Sequence, residues 1–260
     1  MKESKVVALF GHPVGHSRSA EIQSAFFAAL GLDWEYRVID VPPDALKAAI
    51  NDLRTNGWVG ANITIPHKTE ALALADDSTE AAGLIGAANA LFWKGGKLIA
   101  DNTDMAGFLA ALDATGAARS PAVILGSGGS ARAVHAALGG EAMVISRSAC
   151  DWSILARKWG SPEAIDAIGR ARLLVNCTPA GMSPNKNEMP EIPIEVLSAD
   201  CFVFDLVYNP LETKLLKNAR ERGLRCSNGW SMLVWQAAFS CERWAGRKVP
   251  TQAVRILIDG

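Results

Sequence analysis

Gly126, Gly128 and Gly129 lie in the run Gly-Ser-Gly-Gly-Ser-Ala131. The run follows the apolar stretch Ala122–Leu125 and opens a helical pattern that reaches about Leu138. A G-x-G-x-x-A segment between a strand and a helix is a dinucleotide fingerprint. Gly126 permits the tight turn, Gly128 lets a pyrophosphate approach bare backbone, and Ala131 lets helix and strand pack closely. The first N–H groups of the helix then face the phosphates with the positive end of the helix dipole. A tight strand–helix turn without a ligand is the plainer alternative.

The end of the next strand chooses between cofactors, and it falls about 20 residues on. Ser146, Arg147 and Ser148 stand there, with no carboxylate to grip a ribose 2′-OH. Arg147 and the two hydroxyls suit a 2′-phosphate, so NADP is expected, with NAD left open. Asp151 would oppose that phosphate, and Arg147 could instead stack on adenine or lie in solvent.

Four further clusters place polar residues where apolar strands end, as ligand sites of open α/β sheets require. They are Gly11-His-Pro-Val-Gly-His-Ser17-Arg-Ser19, Asn62-Ile-Thr64-Ile-Pro-His-Lys68, Gly86-Ala-Ala-Asn89, and Asp101-Asn-Thr-Asp104. Each has an ordinary reading too. Ser17 and Ser19 suit a turn or helix cap. Asn62 and Thr64 suit backbone groups at a strand end. Lys68 suits solvent, and Asp104 suits the cap of a following helix.

The elements that must position these residues alternate. Strands are expected at Val6–Phe10, Glu35–Val41, Val59–Ile65, Met143–Ile145, Leu173–Val175 and Phe202–Asp205. Ala90–Trp93 and Lys97–Ala100 flank Gly95-Gly96 as a hairpin. Helices are expected over Ser19–Leu30, from Pro43 to Gly57 with Leu46, Ile50 and Leu53 inward, over Trp230–Gly246, and from Thr251. The proline-rich stretch 180–193 reads as a loop. Repeated βα units imply an α/β fold with mostly parallel sheets.

Composition narrows the function classes. With 26 basic and 27 acidic residues, net charge −1, nothing points to nucleic acid or a membrane surface. No apolar run has the length of a membrane span. The N-terminal residues lack the order of a signal peptide, so a cytoplasmic address is expected. Five scattered cysteines, none in C-x-x-C, read as reduced thiols. His12 and His16 are separated by Pro13 and Gly15, which argues against a helical metal site, and no metal is expected.

Taken together, the motifs resemble the shikimate dehydrogenase family nearly end to end. They comprise the hydroxyl pair Ser17/Ser19, N-x-T-x-P-x-K from Asn62 to Lys68, G-A-x-N ending at Asn89, and N-T-D ahead of Gly107. They continue with Gly126–Gly129, N-x-T-x-x-G-M from Asn176 to Met182, Val207-Tyr208-Asn209-Pro210, and Met232-Leu-Val-Trp-Gln236. The resemblance implies an α/β substrate domain, residues 1–105 plus 230–260, and a Rossmann NADP-binding domain, residues 106–229. It implies an active site in the crevice between them.

By the same resemblance, Ser17, Ser19 and Tyr208 would bind a substrate carboxylate. Asn89, Asp104 and Gln236 would bind ring hydroxyls, and Thr64 would line the pocket. Gly126, Gly128, Gly129, Ser146, Arg147, Ser148, Thr178, Met182, Gly229 and Met232 would hold the cofactor. Lys68 and Asp104 match the family's catalytic pair. Hydride reduction of a ketone leaves an alkoxide that needs a proton and nearby positive charge, which a lysine ammonium supplies.

The chain departs from the family pattern near both ligands. Ala20, Gln23 and Ser24 replace Pro and a His-Asn pair, Ala90 replaces Thr, Ser231 replaces Gly, and Ser146 replaces Asn. The expected activity is reversible NADP-dependent reduction of 3-dehydroshikimate to shikimate. Quinate or another hydroxy acid with NAD is the alternative substrate reading. A non-catalytic metabolite sensor is the alternative of another class, and monomer and homodimer are both tenable.

Overall fold

The computed structural model describes residues 5–15, 17–148, 150, 152–153 and 155–260. His16 and Asp151 therefore lie outside the described residues. The chain divides into two compact units, Met1–Gly107 with Val234–Gly260, and Phe108–Leu233.

The first unit contains β1 (Lys5–Gly11), α1 (Ser19–Ala29), β2 (Trp34–Asp40), α2 (Leu46–Thr55) and β3 (Gly60–Ile63). Then come α3 (Lys68–Leu74), β4 (Asp77–Ser78), α4 (Glu80–Ile85), β5 (Ala90–Lys94) and β6 (Lys97–Asp101). Its sheet order is β2-β1-β3-β5-β6-β4. β1 pairs in parallel with β2 and β3, and β6 with β4, while β5 runs antiparallel to both neighbours. That reversal follows from the two-residue hairpin. Gly95 and Gly96 take φ of 59° and 77°, the positive-φ pair that such a turn requires.

Register then decides where loops meet. Asn62 of β3 stands opposite Ala90 of β5, which stands opposite Asp101 of β6. The end of β3, the start of β5 and the end of β6 therefore share one sheet edge. The connections that carry Thr64, Lys68, Asn89 and Asp104 all leave from it. Beneath, Leu46, Ile50 and Leu53 of α2 pack against Phe10, Ile63 and Leu91, all nearly inaccessible. A Leu53→Ala truncation there costs about 2–5 kcal/mol.

α5 (Asp104–Asp113) and α9 (Trp230–Ala245) each begin in one unit and end in the other, and α10 (Thr251–Asp259) closes the chain. The second unit holds β7 (Ala122–Leu125), α6 (Gly129–Ala137), β8 (Met143–Ser146), β9 (Ala156–Lys158), α7 (Pro162–Arg170), β10 (Leu173–Asn176), β11 (Phe202–Asp205), α8 (Lys214–Glu221) and β12 (Cys226–Ser227). Its sheet is entirely parallel, in the order β12-β11-β10-β7-β8-β9. Read from β7, this is the 3-2-1-4-5-6 arrangement of dinucleotide-binding folds. The order reverses between β7 and β10, so the loops after those two strands border the switch point where such folds bind ligands.

The α/β class with mostly parallel sheets agrees with expectation. Several short elements do not announce themselves in the sequence: α3, α4, β4, β9 and β12 span too few residues to show a period. Among the described residues no helix is long and apolar enough to cross a membrane.

Candidate active site

Lys68 is the first residue of α3 and Asp104 the first of α5. Thirty-six positions separate them, yet Lys68 Nζ donates to Asp104 Oδ2 at 2.5 Å. The side chains are only 12% and 7% exposed, so water screens the pair poorly. A helix N-terminus disfavours a cation, and the carboxylate offsets that field at Lys68.

The other Asp104 oxygen, Oδ1, accepts from Asn89 Nδ2 at 2.8 Å. Asn89 Nδ2 also lies 2.9 Å from Thr103 Oγ1 and 3.2 Å from Gln236 Oε1. Its two protons are thus shared among three acceptors, an arrangement in which a polar ligand can replace one of them. Asn89 Oδ1 receives the Thr103 N–H at 2.7 Å. Four residues placed here by the sequence, Lys68, Asn89, Asp104 and Gln236, therefore form one buried polar network.

Neighbouring residues hold that network in place. Asn102 Oδ1 accepts the Asp104 N–H at 3.0 Å, while its amide donates to Ala87 O at 2.9 Å. Asn102, rather than Asp104, thus supplies the cap at the start of α5, and both Asp104 oxygens remain with Lys68 and Asn89. Thr103 Oγ1 lies 3.0 Å from Gln236 O and from Ser240 Oγ. Ser240 accepts from Asn62 Nδ2 at 3.0 Å, and Asn62 Oδ1 accepts from Tyr36 at 2.8 Å. Asn62 is therefore scaffold, as its ordinary reading had it. The sequence reading assigned no role to Asn102, Thr103 or Ser240. Ser240 was traceable, because it falls one helical turn after Gln236 and faces the same way.

Gly107 explains how α9 comes close enough. A Cβ there would stand 2.8 Å from Gln236 Cβ and 2.9 Å from Gln236 N. Without a side chain at 107, the two helices approach until Gln236 reaches Asn89.

Ser17 and Ser19 share a hydrogen bond of 3.0 Å between their hydroxyls, and Ser17 Oγ also accepts the Ser19 N–H at 3.2 Å. Ser17 thus shapes the turn into α1. Thr64 packs on Gly11 at the end of β1, where a Cβ would overlap its methyl group. Next in α1, Gln23 is fully buried and donates to Ala237 O at 3.0 Å.

In the second unit Gly126 has φ of 107°, which a side chain would make strained, and the Thr178 methyl closes over it. Thr178 is itself fixed by donating to Asn176 Oδ1 at 2.6 Å. Gly126 and Thr178 therefore meet at the switch point. Gly128 is exposed with open space at its Cβ position, and Gly129 starts α6. Bare backbone, a helix N-terminus and no carboxylate at the end of β8 fit a pyrophosphate and a phosphorylated ribose. Ser146 is buried and gives its hydroxyl proton to Ser148 O at 2.5 Å, so it shapes the loop, whereas Arg147 and Ser148 are exposed.

Met182 and Tyr208 are half-buried in the loops after β10 and β11, and Met232 is buried in α9. Gly229 donates its N–H to Val207 O at 3.1 Å, and a Cβ there would collide with the Leu206 carbonyl. Tyr208, Met182, Gly229 and Met232 belong to the second unit, and the Lys68–Asp104 network belongs to the first.

Burial pushes the thiols of Cys201 and Cys241 up to about 11 and about 12, which leaves them poor nucleophiles at neutral pH. Among the described residues no three His, Cys, Asp or Glu side chains gather as a metal site.

Residues 9–91 match the shikimate dehydrogenase substrate binding domain, and residues 229–255 match the shikimate 5'-dehydrogenase C-terminal domain. The Shikimate dehydrogenase (NADP(+)) of Symbiobacterium thermophilum is 42% identical over 96% of this chain and 92% of its own length. The chain belongs to the shikimate dehydrogenase family. The enzyme of the same name from Methanopyrus kandleri is 39% identical over 97% of this chain and 94% of its own. Among solved structures, shikimate 5-dehydrogenase from Thermus thermophilus, in complex with NADP(H) and shikimate, superimposes with a TM-score of 0.87. It is 34% identical, and the match covers 98% of both chains. A 5-ketofructose reductase of Gluconobacter shares the fold at a TM-score of 0.82 and 29% identity, covering 100% of this chain and 99% of its own.

Proposed function

We propose that this chain is an NADP-dependent oxidoreductase that reversibly reduces 3-dehydroshikimate to shikimate. The observation that carries the reading is the buried Lys68–Asp104 pair, joined to Asn89 and Gln236, in a chain with this family membership. When bound, the reduced dinucleotide supplies the hydride. Lys68 stabilises the developing alkoxide and gives it a proton, and in the oxidation direction takes it back. Asp104 holds the ammonium in place and, with Asn89 and Gln236, accepts or donates hydrogen bonds to the ring hydroxyls. Ser17 and Ser19 hold the carboxylate, a role Tyr208 shares, and Thr64 lines the pocket.

Residues 1–105 and 230–260 are assigned to the substrate and 106–229 to the dinucleotide. Gly126, Gly128 and Gly129 cradle the pyrophosphate, and Arg147 and Ser148 take the 2′-phosphate, with Ser146 shaping their loop. Thr178, Met182, Gly229 and Met232 complete the nicotinamide side. The cytoplasm is the proposed address, with the protein a monomer or homodimer.

The test is absorbance at the reduced-nicotinamide band, with shikimate, quinate and 3-dehydroshikimate each paired with NAD or NADP. Turnover fastest with shikimate and NADP supports the proposal. Preference for quinate or NAD moves the assignment to the hydroxy-acid alternative, and no turnover with any pairing leaves the sensor.

A further inference from the structure

Trp152, in the segment between β8 and β9, is tied to the glycine loop. Its indole N–H donates to Ser127 O at 3.1 Å. The ring meets His135 edge-on at 5.3 Å, and the Arg132 guanidinium lies over it at 5.4 Å. Ser153 adds a hydrogen bond of 3.2 Å to His135 Nε2. Arg132 and His135 are three residues apart on α6, so they share one helix face. Trp152 and Ser153 are therefore fastened to that face of α6.

Fastening matters because β7 and β8 are adjacent parallel strands, so the loops that follow them emerge at the same sheet end. Arg132, half-buried at the start of α6, and Arg147, exposed at the end of β8, are both cations of this corner. Among the described residues no carboxylate stands within ion-pair distance of either. A guanidinium held over an indole by a cation–π contact spends no N–H group on a hydrogen bond there, so those groups remain for an anion, and the contact limits its rotamers.

We propose that Arg132, held by Trp152, is a second cation for the 2′-phosphate of the dinucleotide beside Arg147, and so a determinant of NADP over NAD. One guanidinium beside a phosphate dianion leaves charge uncompensated, and a second supplies further charge-assisted hydrogen bonds. The inference rests on the NADP reading above.

The test is calorimetric binding of NADP⁺, NAD⁺ and adenosine 2′,5′-bisphosphate to the whole chain, without turnover. Arg132→Gln should weaken NADP⁺ and the bisphosphate at least tenfold while changing NAD⁺ less than about threefold. Arg132→Lys should recover part of the loss, and Trp152→Leu should weaken the same two ligands less than Arg132→Gln does. Equal losses for NADP⁺ and NAD⁺, or no loss for either, would overturn the role of Arg132. Wild-type protein that binds NAD⁺ as tightly as NADP⁺ would overturn the cofactor reading itself, whatever the variants do.

Discussion

Lys68 Nζ and Asp104 Oδ2 lie 2.5 Å apart, each on the first residue of its helix. The other carboxylate oxygen, Oδ1, accepts from Asn89. Asp104 is therefore held from two sides, and it can orient the lysine without a cost in disorder when substrate arrives. Lys68→Ala should lower kcat by about 10²–10⁴-fold, the usual weight of a positioned proton donor. NADP⁺ affinity, measured by calorimetry, should stay within about threefold, since the dinucleotide loop lies in the other unit. Retained turnover would remove Lys68 from the chemistry.

Asn102 links the backbone of Asp104 to Ala87 O, and it is 4% exposed. Asn102→Ala removes a helix cap and leaves a buried carbonyl without its donor, for a loss of about 2 kcal/mol in urea denaturation. The same change lets Asp104 drift, so kcat should drop roughly tenfold. A stability loss with unchanged kcat would show that Asn102 acts on the fold alone.

Gly107→Ala places a methyl group within 2.8–3.0 Å of Gln236 Cβ, N and Cα. Backbone cannot rotate away, so α9 must shift, at about 1–3 kcal/mol. Gln236 then no longer reaches Asn89, and KM for the hydroxylated substrate should rise. Urea midpoints and steady-state kinetics measure the two effects. An alanine variant with wild-type KM would mean that Gln236 does not contact substrate.

Asp205 is fully buried, and desolvation pushes its carboxyl from 3.8 up to about 6 despite donors from Thr213, Val207 and Asn176. Between about pH 4 and 6 the folded protein thus keeps a proton that the unfolded chain has released. The stability this gives is fully present below the unfolded value and is lost as pH rises through the folded one. The loss totals about 3 kcal/mol at 1.36 kcal/mol per unit. Asp205→Asn does not titrate, so its stability relative to wild type should rise by up to that amount from pH 4 to 7. Urea midpoints at each pH measure it, and a constant difference would refute the shift.

Local pattern already determined the glycine loop and the alternation of strand and helix, whereas Lys68, Asn89, Asp104 and Gln236 stood out only through the ordered set of motifs that resembles the family. Periodicity and turn chemistry act over a few neighbours, so they can be read along the chain. Sheet order and register could not be read in this way, and they decided that Asn62, Ala90 and Asp101 stand in one row. That row collects the connections bearing Lys68, Asn89 and Asp104, residues that no local rule brings together. The supports Asn102 and Thr103 became visible only then, because a hydrogen bond depends on where two atoms come to rest, whereas Ser240 could be traced from its place one helical turn after Gln236. The contact of Trp152 with Arg132 is of the same kind: nothing in their spacing announces it, and it arises because β7 and β8 lie side by side.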